Sequence, residues 1–220
     1  MSLESLSQAL LLMPYVWQGG VFLAALYIFR KRSVFADPAA RFKKLAWATG
    51  GFWVFYALTL TVFQYYSWLA NSFSEILLRS PLDPTAPVPA PIKWFLDLFP
   101  ENFGYFLFYS YGRFWLEIIL AAIFAYVFYL FLRMLRKYRE RFFEEGEPEL
   151  GWLLAFSAGW PNVTIFVFLS FVSVVLVSGY RLVLGQRYTT LGPVFLLASL
   201  LTLVSGFWLV SAMGLGVLRL

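Results

Sequence analysis

Two charged residues lie inside an apolar block of the sequence, where charge is costly in hydrocarbon and marks candidate chemistry. Arg113 and Glu117 are four residues apart, which places both on one face of a helix. This spacing predicts a local ion pair that orients the helix near the outer boundary of a membrane. The functional alternative is a carboxylate that handles protons or cations, with Arg181 as a second partner.

A second candidate surface lies in a long loop that holds six of the eleven prolines. Behind the proline run, Trp94, Phe95, Leu98 and Phe99 recur at helical spacing. They predict an amphipathic helix, residues 92–99, with one aromatic face over the membrane surface. This face packs as a lid on the protein's own helices, or it contacts a partner or ligand.

Two residue types that carry much of enzyme chemistry do not occur in the chain. It has no cysteine and no histidine, so thiolate nucleophiles, histidine-held haem or zinc, and Ser-His relays are excluded for this chain alone. One intramembrane carboxylate is also too few for a pair of acids that share a proton. We therefore expect no catalytic residues, no cofactor and no metal site.

Composition indicates the fold class. Hydrophobic residues make up 61% of the 220 residues and charged residues 13%, whereas soluble domains are about half apolar and a quarter charged. The apolar residues form long blocks, which predict helices because lipid offers backbone groups no other partner. We expect an all-α integral membrane protein, a polytopic bundle of about five transmembrane helices in a single membrane domain.

The predicted segments follow the apolar blocks and the charged or proline-rich stretches between them. They are transmembrane helices at residues 9–29, 45–70, 105–132, 161–184 and 191–218, an outer loop at 71–104 and a cytoplasmic segment at 133–149. Small residues at helical spacing predict close helix packing: Gly20 with Ala24, Ala121 with Ala125, and Ser170 and Ser173 with Ser199, Thr202 and Gly206.

The fourth apolar stretch is too long for one simple crossing. Gly159, Trp160 and Pro161 supply a break, since glycine suits a helix end and proline the first turn of the next helix. We predict a short interfacial helix at residues 149–158, followed by the fourth transmembrane helix. One long kinked helix is the alternative.

Lysine and arginine predict the orientation. An outside amino terminus places twelve of them on the cytoplasmic side and five outside, so we expect the amino terminus outside and the carboxyl terminus in the cytoplasm. The net charge of +5 then serves topology and lipid contact, not nucleic-acid binding. The charges of residues 133–149 are solvated, or they form a docking surface for a cytoplasmic partner.

Three functions fit these observations. A structural or accessory membrane subunit fits best, because the chain has much packing surface and few chemical groups. Its expected partners are membrane lipids and other membrane proteins or further copies of itself, and its expected location is a prokaryotic inner (plasma) membrane. The alternative is a small transporter, channel or lipid-handling protein that uses Glu117 and the aromatic loop. An enzyme acting on lipid comes last.

Overall fold

The structure, a computed structural model, describes residues 3–81, 104–138, 143–184 and 190–214. Within these ranges all regular structure is helical. The α-helices are α1 (Leu3–Arg30), α2 (Pro38–Leu69), α3 (Ser72–Arg79), α4 (Gly104–Ser110), α5 (Leu116–Tyr138), α6 (Glu147–Ala158), α7 (Asn162–Val183) and α8 (Gly192–Ala212). A π-helical turn, Tyr111–Trp115, joins α4 to α5.

Five helical stretches are long and apolar enough to cross a membrane. They are Gln8–Arg30, Pro38–Leu69, Gly104–Tyr138, Asn162–Val183 and Gly192–Ala212. The predicted all-α polytopic bundle is confirmed. The second stretch begins seven residues before its predicted start at residue 45, because Asp37 accepts a hydrogen bond from the Ala40 N–H at 2.7 Å and Pro38 occupies the first turn.

The predicted break before the fourth long helix is present. α6 ends at Ala158, and Gly159 follows with φ 69°, a left-handed value that suits glycine. α7 begins at Asn162, directly after Pro161. The alternative of one long kinked helix is therefore wrong.

The chain forms two compact units. Unit one contains Met1–Phe52 and Ile119–Arg219, and unit two contains Trp53–Ile118. Unit one holds α1, the first half of α2, most of α5, and α6 to α8, whereas unit two holds the rest of α2 with α3 and α4.

In unit one, α6 runs antiparallel to α1 and stops halfway along it. At its start, Glu147 accepts a hydrogen bond from the Gly192 N–H at 2.7 Å, and a Cβ on Gly192 would overlap the ring of Phe29, one residue before the end of α1. At its other end, the Ala158 carbonyl accepts a hydrogen bond from Gln18 Nε2 at 3.3 Å. The eleven steps from Glu147 to Ala158 rise about 16 Å along the helix axis, roughly half of a hydrocarbon core of about 30 Å.

α7 then runs back in the opposite direction, alongside α5. Three aromatic pairs fix this direction, with centroids 5.2 Å, 6.0 Å and 6.1 Å apart: Phe124 with Trp160, Phe128 with Phe166, and Phe131 with Phe171. α8 is antiparallel to α7, since a Cβ on Gly206, near the end of α8, would lie 3.2 Å from Oδ1 of Asn162, the first residue of α7.

These directions make α6 and α7 a re-entrant hairpin, which enters and leaves unit one at the same end. Five successive crossings would make α8 parallel to α1, but the structure makes it antiparallel, with its start beside the end of α1. The expected placement of the carboxyl end opposite the amino end is therefore not supported: Ala212, the last residue of α8, points toward the side where α1 begins. Residues 215–220 lie outside the described residues.

The end of unit one where Glu147 lies is rich in basic residues, and we call it the basic end. Its described lysines and arginines are Arg30, Lys31, Arg32, Arg41, Lys43, Lys44, Arg133, Arg136, Lys137 and Arg181. The direction of α7 moves Arg181 from the predicted outer side to this end. Among the described residues of unit one, Arg181 thus joins the side that the charge bias predicts to be cytoplasmic.

The burial of α6 differs from that of an interfacial helix, which would bury one face only. Eleven of its twelve residues are buried, and Trp152 alone is partly exposed. A helix that enters the bundle with helices on all sides has no lipid-facing surface, so it can be apolar all round. The short helix was predicted correctly, but it belongs to the core.

The predicted small-residue contacts hold on three of the four helices. Ala121 and Ala125 of α5 are buried, as are Ser170 and Ser173 of α7 and Ser199, Thr202 and Gly206 of α8. On α1, Gly20 is exposed, and the helix packs through Gln18, Val21 and Ala25 instead.

Unit two is held together largely by aromatic contacts. Trp68 near the end of α2 packs against Tyr105, Phe106 and Tyr109 of α4, with centroids 5.1–6.2 Å apart. Farther along, Trp115 Nε1 donates a hydrogen bond to Thr61 Oγ1 at 3.3 Å. The short helix α3, which the predicted outer loop did not anticipate, begins with the Asn71 side chain accepting from the Phe73 N–H.

Candidate functional site

Of the two predicted sites, the structure describes the charge pair but not the aromatic loop surface. Trp94, Phe95, Leu98 and Phe99, with the proposed helix at residues 92–99, lie outside the described residues. Arg113 lies in the π-helical turn with an exposed side chain, and Glu117 follows in the first turn of α5 and is half-buried. π-Helical turns often occur at functional sites, so this segment stays a candidate.

Arg181 was considered a second partner for Glu117 because both were expected near the outer side. Glu117 belongs to unit two and Arg181 to unit one. The reversed direction of α7 places Arg181 at the basic end. The pairing of Glu117 with Arg181 stays a prediction.

Two other carboxylates, which sequence reasoning treated as part of a solvated segment, are buried at the basic end. Glu147 is 1% exposed and Glu149 6% exposed. Acidic residues commonly occupy the first turn of a helix because they complement its dipole, so the sequence Glu147-Pro148-Glu149 predicts a helix start. It carries no signal of burial, because the burial comes from α1, α2, α5 and α8 around that start.

The Glu147 side chain faces the interior of unit one and binds backbone N–H groups. Its carboxylate accepts hydrogen bonds from the N–H groups of Glu144, Leu191 and Gly192 at 3.0 Å, 3.2 Å and 2.7 Å. Burial raises the pKa of Glu147 above its ordinary value of 4.5, and the three backbone N–H groups oppose that rise without cancelling it. Glu147 thus ties the start of α6 to the start of α8, and its task is structural.

Glu149 faces α5 and α2. Its Oε1 accepts a hydrogen bond from the Tyr129 hydroxyl at 3.2 Å and lies 3.8 Å from Lys43 Nζ. Its Oε2 is buried, and no hydrogen-bond donor in the described part of the chain reaches it. A buried carboxylate oxygen without a donor is costly and calls for a ligand or another explanation.

A cleft opens beside Glu149. It has a volume of about 620 Å³ and is lined by Leu130, Arg133, Met134, Arg136, Lys137 and Glu149. Residues 130, 133, 134 and 137 share one face of α5, because side chains three, four and seven positions apart overlie one another. Arg133 also lies over the Tyr129 ring, 5.7 Å from its centroid. We call this site the basic cleft.

The basic cleft combines groups that suit an amphiphile. Three cations can hold a phosphate, and arginine does so with two parallel donors. Leu130, one turn before Arg133, and Met134, directly after it, are 46% and 56% exposed, and they offer apolar contact beside the cations. The cleft lies in the last turns of a helix that is long and apolar enough to cross a membrane, and the ends of such helices commonly lie where lipid head groups meet acyl chains.

The described residues contain no group of three or more acidic side chains close enough to hold a metal ion. Comparison with known proteins adds no assignment, since no family model, no curated protein and no solved structure matches the chain.

Proposed function

We propose that this integral membrane protein is a lipid-handling protein that holds membrane phospholipid by its phosphate in the basic cleft. The observation that carries the proposal is the convergence of Arg133, Arg136 and Lys137 beside exposed apolar side chains on one helix end. Basic pockets at this depth on the cytoplasmic side commonly bind phospholipid head groups.

The basic cleft suits a lipid better than a soluble phosphate. A soluble anion gains nothing from Leu130 and Met134, whereas acyl chains can cover both side chains. The lipid is also present at high concentration in the bilayer at that depth. A free phosphate must compete with it from solution.

Spin-labelled lipids test the proposal. The purified protein is reconstituted in phosphatidylcholine bilayers with traces of a chain-labelled phospholipid, or of a diacylglycerol with the same chains and no phosphate. We expect the immobilised fraction to be larger for the phospholipid, and the difference to disappear in the variant R133Q/R136Q/K137Q. The single variant Lys31→Gln, at an exposed position of the basic end, should keep it.

Equal immobilisation of the phospholipid and the diacylglycerol by the unaltered protein would overturn the proposal. Addition of excess inorganic phosphate distinguishes a site for a phospholipid head group from a site for soluble phosphate. No effect on the immobilised fraction supports a lipid site, and displacement of the lipid indicates a soluble anion instead.

The predicted role as a structural or accessory subunit is the second candidate, and unit two favours it. Ser110 lies on a helix of membrane-spanning length, and polar groups at such positions often bond to neighbouring helices. The Ser110 hydroxyl is buried without a hydrogen-bond partner in the described part of the chain. Stoichiometric co-purification of another membrane protein in mild detergent would support this role.

A further inference from the structure

The geometry points to a primary ammonium group, as in an ethanolamine phospholipid, as the part of the ligand that binds Glu149. This inference rests on the proposed function and adds the class of head group. Glu149 is the one anionic side chain among the six residues that line the basic cleft. A ligand with a phosphate alone would leave Oε2 of this carboxylate without a hydrogen-bond donor.

The two carboxylate oxygens of Glu149 have different surroundings. Oε1 already has Tyr129 and Lys43 as neighbours within the protein. Oε2 has no donor in the described ranges, although the side chain is 8% exposed and lines the basic cleft. A bound group that donates hydrogen bonds to Oε2 would remove the cost of leaving it unpaired.

Charge favours an ammonium donor over a hydroxyl donor. Hydrogen bonds between two charged partners are shorter and roughly twice as strong as neutral ones. Lys43 lies 3.8 Å from Oε1 and is half-exposed, so its ammonium is largely solvated and leaves much of the Glu149 charge uncompensated. An ethanolamine phospholipid carries a phosphate for the three cations and an ammonium for Glu149 in a single head group.

The alternatives differ from ethanolamine in one feature each. A choline head group has the same phosphate and positive charge, but its methylated nitrogen donates no hydrogen bond. A glycerol head group has hydroxyl donors and no positive charge. Glu149 therefore discriminates among phospholipids that the three cations treat alike.

The test compares chain-labelled phosphatidylethanolamine with chain-labelled phosphatidylcholine in the same phosphatidylcholine bilayers. We expect the unaltered protein to prefer the ethanolamine lipid by about two- to tenfold, the net contribution of one hydrogen bond. Glu149→Gln should abolish that preference and keep the preference for phosphatidylcholine over diacylglycerol. Glu145→Gln, at an exposed position of the same segment, should keep both.

The outcomes separate this inference from the proposed function. Equal binding of the two phospholipids by the unaltered protein, with both preferred over diacylglycerol, overturns the role of Glu149 and leaves the phosphate site standing. No preference over diacylglycerol overturns both. The comparison of phosphatidylethanolamine with phosphatidylcholine in the unaltered protein is sufficient to overturn the inference. The test therefore remains valid even if Glu149→Gln fails to fold.

Discussion

Two glutamates separated by one residue perform different tasks at the start of α6. Neighbours two positions apart project from different sides of a helix, so Glu147 meets the start of α8 while Glu149 meets α5 and the basic cleft. The sequence predicts neither task, because an acidic pair before an apolar run is typical of any helix start. Conversely, Arg113 and Glu117 could be selected from the sequence, since their position inside an apolar block is visible there.

Removal of the Glu147 carboxylate should destabilise the hairpin. In Glu147→Ala, the N–H groups of Glu144, Leu191 and Gly192 lose their acceptor. Buried donors left unpaired cost about 1–3 kcal/mol each. Because two of the three bonds are only part-buried, we take the lower end of that range for each donor and expect a total loss of about 3 kcal/mol. Thermal unfolding in detergent, followed by circular dichroism, measures it, and Glu145→Ala is the exposed control.

The pH dependence of the same transition has a definite sign. The raised pKa of Glu147 favours the protonated form in the folded protein. Its contribution to stability is therefore complete below the unfolded value of 4.5 and is lost as the pH rises through the folded pKa. Relative to Glu147→Gln, the unaltered protein should gain stability on acidification across this window, and a relative loss would contradict the assignment.

At the scale of elements, helix ends that depend on local chemistry can be predicted and those that depend on packing cannot. The break at Gly159 and Pro161 follows from backbone conformation alone. The early start of α2 was missed because Arg41, Lys43 and Lys44 make its first turns polar, although Asp37 before Pro38 is a recognisable start signal. The π-helical turn has no known sequence signal, and the enclosure of α6 depends on its neighbours.

The enclosure of α6 predicts that its glycine admits no side chain. A Cβ on Gly151 would lie 2.6 Å from Leu132 Cδ1 and 3.1 Å from the Phe195 ring. We expect Gly151→Leu to destabilise the protein by about 1–3 kcal/mol or more, the usual cost of overpacking. Gly179→Leu on α7, where nothing lies within 4 Å, is the matched control. A thermal midpoint unchanged in Gly151→Leu would contradict the enclosed position.

For the whole molecule, length and composition predicted how many helices could cross a membrane but not the directions in which they run. α7 has 22 residues and is apolar enough to cross, yet it is the second arm of a hairpin that turns inside unit one. The pattern of apolar residues is the same whether a helix crosses the membrane alone or forms one arm of a hairpin. The contacts of Gln18, Phe124 and Gly206 distinguish the two arrangements. The proposed function also depends on the hairpin, because its first arm places Glu149 beside Arg133 in the basic cleft.

Cysteine labelling tests the re-entrant hairpin most directly, since the chain has no native cysteine. Single cysteines replace Ser33 after α1, Leu184 after α7 and Met213 after α8, all three at exposed positions, and intact cells are treated with a membrane-impermeant maleimide. The re-entrant hairpin predicts that positions 33 and 184 react alike and position 213 differs from both. If positions 33 and 213 react alike and position 184 differs, the chain crosses five times and the hairpin is wrong.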